Sequence, residues 1–411
     1  MAGAVSDILW SRTTERLVTG NSTSSDHNAT IAETAVGLNI TWNVSIPEGC
    51  VPVRFDLMEY LPWDNPDNII SVKFEDMVRK IRYVFLPVLF LIGGPANVIN
   101  MLVFYKQGLK ERVNLCLFAL SLADFLDWVY LMCILSQQTG LQFTTGELYG
   151  PVFRYVLNHN LGGFHGFSWV SQILSAIIAT ERCLCVLKPL RFQTLLRTRT
   201  MAAIIIVVYV VVVTLYFVVH MQYRVGCLFD VITGTAINAD VSADGNFRQS
   251  KEVPLFLDTF VFGIGIPSVV VTVVTATTII TSLKIRQAAA WRAGTSSASG
   301  HSSSSSSSLS ISPQEVALTK MLIGIAVLFI VFISPHVVFR LACFVFPEMD
   351  IGRRNQNVYI SGVWILEICM NVNSSFNIFV YYTMGSRYRE TVWALFGRKK
   401  KGKTTRRSAM E

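Results

Sequence analysis

Residues 201–220 read MAAIIIVVYVVVVTLYFVVH. The stretch contains no Asp, Glu, Lys or Arg. Its length matches the roughly 20 apolar residues, at about 1.5 Å each, that cross a bilayer core. Six further stretches share the character: residues 83–105, 114–136, 158–187, 254–283, 316–346 and 357–383. The third is the most diluted, by Gly162, Gly163, His165 and Gly166. The pattern predicts an all-α fold, a bundle of seven transmembrane helices. Composition agrees. Hydrophobic residues make up 52% of the 411 and charged residues 15%, against roughly 25% charged in soluble domains; mean hydropathy is +0.46. So little charge cannot clothe several soluble domains, which excludes a soluble enzyme, a disordered protein and a small disulfide scaffold. The net charge of +8 does not point to nucleic acid, because the basic residues collect at the ends of apolar runs.

Residues 1–80 form a polar tail with four N-x-S/T sequons, at Asn21, Asn28, Asn39 and Asn43. Four within so short a tail predict a glycosylated, extracellular segment. Residues 1–20 lack the apolar core of a cleavable signal peptide, so the first membrane helix is expected to act as the targeting signal. With the amino terminus outside, the inner segments hold 21 Lys and Arg and the three outer loops 6, as the positive-inside rule requires. Arg79, Lys80 and Arg82 run against the rule and are expected just outside the first helix. The domain plan is a tail (1–80), a membrane domain (81–385) with its third inner loop at 284–315, and a carboxy-terminal segment (386–411). That loop carries unbroken serines at 302–308, readable as a flexible linker or as a phosphorylation cluster for a receptor kinase and arrestin. In residues 386–396, Tyr388, Val392, Leu395 and Phe396 recur at helical spacing against Arg387, Arg389 and Glu390. That predicts a short amphipathic helix on the bilayer surface, followed by a basic run.

An ionisable side chain at mid-bilayer costs about 2.5–3.5 kcal/mol on insertion scales, so each one needs a reason. Asp124 and Asp127 fall in the second span, His165 in the third, His336 and Arg340 in the sixth and Glu367 in the seventh. The third span ends Glu181-Arg182-Cys183. Leu120-Ser121-Leu122-Ala123-Asp124 lies in the second, Gly94-Pro95-Ala96-Asn97 in the first, Pro267 and Pro335 in the fifth and sixth. Asn373-Ser374-Ser375-Phe376-Asn377-Ile378-Phe379-Val380-Tyr381 lies in the seventh. Together, in this order, these motifs resemble the rhodopsin-like G-protein-coupled receptors, over roughly residues 83–396. The details look most like invertebrate, including molluscan, chemosensory or FMRFamide-like peptide receptors. Departures from the family pattern stand at Ile333 for the sixth-helix Trp, Thr275 for the fifth-helix Tyr and Leu157 for the third-helix Cys; the fourth helix lacks its Trp.

The resemblance implies a plasma-membrane receptor that turns binding of an extracellular peptide or small chemosensory molecule into activation of a heterotrimeric G protein. It implies a switch built from Glu181, Arg182, Asn377 and Tyr381, with Glu315 at the inner end of the sixth helix as a resting partner of Arg182. A structural alternative for Glu315 is a helix cap. It also implies a sodium ion, the one cofactor foreseen, held by Asp124, Ser171, Asn373, Ser374 and Asn377; the alternative is a water-filled cluster with Asp124 protonated. Phe164 stands where amine receptors keep an Asp, and Asn371 where opsins keep their retinal Lys, so neither ligand fits. Phe164, His165, His336, Arg340 and Glu367 remain as the ligand set. Opposite charges at Arg340 and Glu367 would suit a ligand with both signs, or would pair with each other when the site is empty. A carboxylate ligand would need Arg340 alone.

Cys50, Cys133, Cys227 and Cys343 could lie on the oxidising side. Cys50–Cys227 is the preferred disulfide, with three pairings open. A seven-helix transporter or channel is the competing function. The chain carries no internal repeat and no polar stripes on several helices. It also lacks His-Glu-x-x-His and a membrane-embedded Gly-x-Ser-x-Gly, so nothing implies an enzyme.

Overall fold

The computed structural model describes residues 67–138, 165–188, 197–220, 256–298, 313–349 and 353–397, together with five short strands. Seven helices are long and apolar enough to cross a membrane. They are α1 (Val72–Gln107), α2 (Arg112–Gln138), α3 (Gly166–Leu187), α4 (Thr198–His220), α5 (Ile266–Ala298), α6 (Pro313–Val345) and α7 (Gln356–Met384). A π-helical segment, Leu257–Gly265, runs into α5, and α8 (Ser386–Leu395) follows α7. β1 (Ile31–Glu33) pairs antiparallel with β2 (Ile40–Trp42). β3 (Cys50–Val53) pairs parallel with β4 (Tyr223–Asp230), which pairs antiparallel with β5 (Ala236–Ser242).

The helices are apolar on both faces because the bilayer, not water, is their solvent; each backbone bonds within itself. In α4, Met201, Ile205, Val212, Tyr216 and Val219 face inward on one helical stripe, while Ile206, Val207 and Val210 are exposed. Hydroxyls in the helices bond back one turn: Ser121 donates to the Leu117 carbonyl and Thr281 to the Thr277 carbonyl, which satisfies each polar group without a partner helix. α3 is central, packing on α2, α4, α5 and α6; α1 packs on α2 and α7. Gly93 makes the last contact possible. A Cβ there would come within 2.3 Å of Ser375 Oγ and 2.7 Å of Trp128 Nε1.

Two boundaries differ from expectation. α1 begins at Val72, eleven residues before the apolar stretch, with the Ser71 side chain accepting from the Phe74 N–H as its N-cap. Arg79, Lys80 and Arg82 therefore lie on the helix, not outside it. Arg79 and Lys80 pair with Asp76, and Arg82 turns into the bundle. Hydropathy missed these turns because paired charges need no lipid. α5 continues through Lys284 to Ala298, so much of the expected third inner loop is helix; the serines at 302–308 lie outside the described residues. α8 forms as expected, but its apolar face meets protein first. Tyr388 is buried and donates to Asn100 Oδ1 at 2.6 Å, and burial pushes its hydroxyl above the ordinary tyrosine range, so it stays a neutral donor. Phe396 alone of the expected apolar set is strongly exposed, at 69%.

Candidate functional site

Polar side chains meet inside the bundle at three levels. At the outer level, Arg82 of α1 holds Glu367 of α7 with two N–H groups, Nε to Oε2 at 2.5 Å and Nη2 to Oε1 at 3.2 Å. Their side chains are only 4% and 17% exposed. His165, just before α3, sets Nδ1 3.3 Å from Asp127 Oδ1 of α2, and its ring packs near Tyr130 and Tyr216. Arg340 of α6 donates from Nη1 to the Tyr359 hydroxyl of α7 at 2.9 Å; its Nε is buried without a hydrogen-bond partner. His336, one turn deeper on α6, is buried with its Nδ1 also unpartnered, edge-on to Trp169 at 5.9 Å. Trp169, Phe262 and Tyr216 complete an aromatic wall.

The middle level centres on Asp124, 3% exposed. Ser171 of α3 donates to its Oδ1 at 2.5 Å and Asn377 of α7 to its Oδ2 at 3.3 Å. Asn373 and Ser374 lie one turn outward on α7. Asn373 Oδ1, Ser374 Oγ and Asn377 Oδ1 are buried oxygens with no hydrogen-bond partner. A carboxylate with several unsatisfied neutral oxygens is a donor set that fits a small hard cation.

At the inner level, Arg182 donates from Nε and Nη2 to the carboxylate of Glu181, both side chains buried. Glu181 also meets Arg112 Nε of α2 at 3.6 Å and accepts from the Cys185 thiol. Tyr381 is fully buried, edge-on to Phe104 at 5.1 Å, with its hydroxyl unpartnered.

Residues 84–399 match the family model of the serpentine type 7TM GPCR chemoreceptor Srw. The chain belongs to that family. A comparison with curated proteins found no match. The Srw assignment covers every membrane helix from α2 to α7, most of α1 and all of α8.

Against the residues expected from sequence, the Srw receptor brings together Asp124, Ser171 and Asn377, and separately Glu181 and Arg182. It does not bring Arg340 to Glu367. Glu367 pairs with Arg82 instead, which corrects the expectation that Arg340 and Glu367 pair with each other when the site is empty. Asn373 and Ser374 are buried on α7, one turn from Asn377, and do not bond Asp124. Phe164, the four sequons and the side chains of Glu315, Cys50 and Cys227 lie outside the described residues; the β3–β4 register nonetheless pairs Cys50 with Cys227 along the backbone. Sequence reading missed Arg82, Arg112 and Tyr359. Arg82 carried a signal, since basic residues at the wrong end of a membrane span ask for a partner.

Proposed function

We propose that this Srw chemoreceptor binds an extracellular peptide or small chemosensory molecule at its outer polar tier and activates a heterotrimeric G protein at the inner face of the plasma membrane. One observation carries the reading. Arg182 sits buried at the inner end of α3, its charge absorbed by its own neighbour Glu181, which a second cation, Arg112, also contacts. A cation so held is a resting switch: a competing group that draws Glu181 away releases the guanidinium toward the cytoplasm. Tyr381 supplies a buried hydroxyl, on the facing helix, that a rearranged inner end can satisfy. Glu315 is a further resting partner for Arg182 in this scheme.

In the resting receptor, Asp124, Ser171, Asn373, Ser374 and Asn377 would hold a sodium ion, whose charge offsets the buried carboxylate. Ser171 and Asn377 already orient that carboxylate. The serine-rich segment between α5 and α6 would take phosphates from a receptor kinase and then arrestin.

The test is ligand-independent G-protein activation in transfected cells, with ion flux recorded in the same cells. Wild-type receptor should raise nucleotide exchange on at least one G-protein class, and Arg182→Ala should abolish it at matched surface expression. Ion flux without G-protein activation would favour the channel or transporter reading instead.

A further inference from the structure

We infer that the outer tier takes an anionic ligand: a carboxylate bound by the free edge of Arg340, attached to an aromatic or apolar body with a second polar group about one helical turn deeper, at His336. The inference rests on the outer tier being the receptor's ligand site.

The argument starts from charge. Arg82 is matched by Glu367 and His165 faces Asp127. Arg340 is different. Its hydrogen bond goes to a neutral hydroxyl, Tyr359, and its guanidinium carbon lies 5.7 Å from the centre of that same ring. Among the described residues no carboxylate lies within ion-pairing distance of it; Asp258, on the π-helical segment, acts on it only at longer range. A cation inside a membrane bundle is stabilised when a negative group reaches it. Glu367 cannot serve, because Arg82 already occupies both of its oxygens.

Geometry then selects the kind of anion. With Nη1 committed to Tyr359, the remaining edge of the guanidinium is Nε with Nη2. Those two N–H groups point the same way and match the two oxygens of one carboxylate. Nε is buried and unsatisfied. Next to it the backbone is bare: a Cβ built on Gly263 would stand 4.0 Å from Arg340 Cδ and Nε. Gly263 belongs to the π-helical segment, a rare conformation often found at functional sites. His336 is four residues before Arg340 on the same helix face, about 6 Å deeper. It is 5% exposed, and its Nδ1 is likewise buried without a hydrogen-bond partner. Trp169 of α3, Phe262 of the π-helical segment and Tyr216 of α4 form the adjoining aromatic wall. A purely cationic ligand would bring like charge to Arg340. An amidated peptide end would bring no carboxylate.

Benzoate and 3-hydroxybenzoate are suitable probes, with benzamide as the neutral control. Thermal unfolding of the purified full-length receptor in micelles should shift upward with benzoate in a saturable way, in the millimolar range expected of so small a ligand, and benzamide should leave it unmoved. 3-Hydroxybenzoate should bind more tightly than benzoate, and His336→Leu should remove that advantage. Arg340→Gln should weaken benzoate on the order of 10- to 100-fold, the loss of charge-assisted hydrogen bonds. Should that variant fail to fold, Asp258→Asn decides the matter while keeping Arg340. It removes the negative charge that competes with the probe, so benzoate should bind a few-fold more tightly. The inference is overturned if benzamide stabilises as well as benzoate, if benzoate has no effect on wild type, or if Asp258→Asn weakens it. Unfolding does not depend on a G protein. Anion binding without G-protein activation would therefore refute the coupling reading alone, and G-protein activation without anion preference would refute this inference alone.

Discussion

Removing either member of the Arg82–Glu367 pair should cost far more than removing both. The pair joins α1 to α7 through two N–H···O bonds between side chains 4% and 17% exposed. Glu367→Gln leaves a guanidinium in the bundle with its countercharge gone. Breaking a buried pair from one side typically costs about 3–5 kcal/mol. A 3 kcal/mol loss lowers the folded-to-unfolded ratio by roughly 140-fold, at about 1.4 kcal/mol per factor of ten. Arg82→Met strands the carboxylate and should cost a similar amount. In the double variant no charge remains to be desolvated, and replacement of both partners of a buried pair by groups of similar volume is often near neutral. With two single losses of about 3 kcal/mol or more and a double variant close to wild type, the expected coupling is about 6 kcal/mol or more. The assay is a double-mutant cycle on unfolding of the purified receptor in micelles, with surface expression in cells as a second readout. If the two single losses simply add in the double variant, the side chains do not interact in the folded receptor, and the assignment of Glu367 to Arg82 fails.

Four further outcomes are expected. Glu181→Gln should raise basal G-protein activation several-fold at matched surface expression, because a neutral amide holds Arg182 and Arg112 less firmly; unchanged basal nucleotide exchange would remove Glu181 from the switch. Asp124→Asn should abolish any dependence of agonist affinity on sodium concentration, and retained sodium sensitivity would exclude that site. Cys50→Ser and Cys227→Ser should each lower surface expression, and the double change should cost no more than either single; additive losses would show that the two residues do not pair. Glycosidase should reduce the apparent mass of the receptor, and simultaneous substitution of Asn21, Asn28, Asn39 and Asn43 should abolish that shift; an unglycosylated wild-type tail would reverse the assumed orientation.

The bundle was legible in the sequence because hydropathy integrates over twenty residues and tolerates local error. Each expected span contains the apolar part of a real helix. What hydropathy cannot register is helix outside the bilayer, where charges are welcome: the first three turns of α1, with Asp76 pairing Arg79 and Lys80, and the extension of α5 past Lys284. Asp124, Ser171 and Asn377 could be grouped because motif spacing puts them at one depth on three helices. Partnerships of long side chains could not be read in this way. Arg82 and Glu367 are 285 residues apart, and only the packing of α1 against α7, allowed by Gly93, tells Glu367 to turn to Arg82 and away from Arg340. The free state of Arg340 is a consequence of that choice, which is why sequence left the ligand's charge open.

The fastenings of α1 also divide the molecule mechanically. At its outer end the Asn355 side chain accepts from the Ile69 N–H, and Asn357 donates to the Ile70 carbonyl. Further in, Arg82 grips Glu367. Deeper still, the bare Cα of Gly93 nests against Ser375 and Trp128. At the inner end Tyr388 of α8 donates to Asn100, and Gln107 to Thr391. Four attachments along some 54 Å of helix make α1, α7 and α8 a stator. The α5–α6 contact has another nature: Val270, Val274, Ala326, Phe329 and Ile333 meet as apolar surfaces, and the hydroxyls of Thr272, Thr277 and Thr281 bond within their own helix. Apolar surfaces slide where directional bonds would have to break. Displacement from the tier of Arg340 to the tier of Arg182 is thus expected to be carried by α5 and α6 working against a fixed frame, with Arg340 as the handle on the moving part.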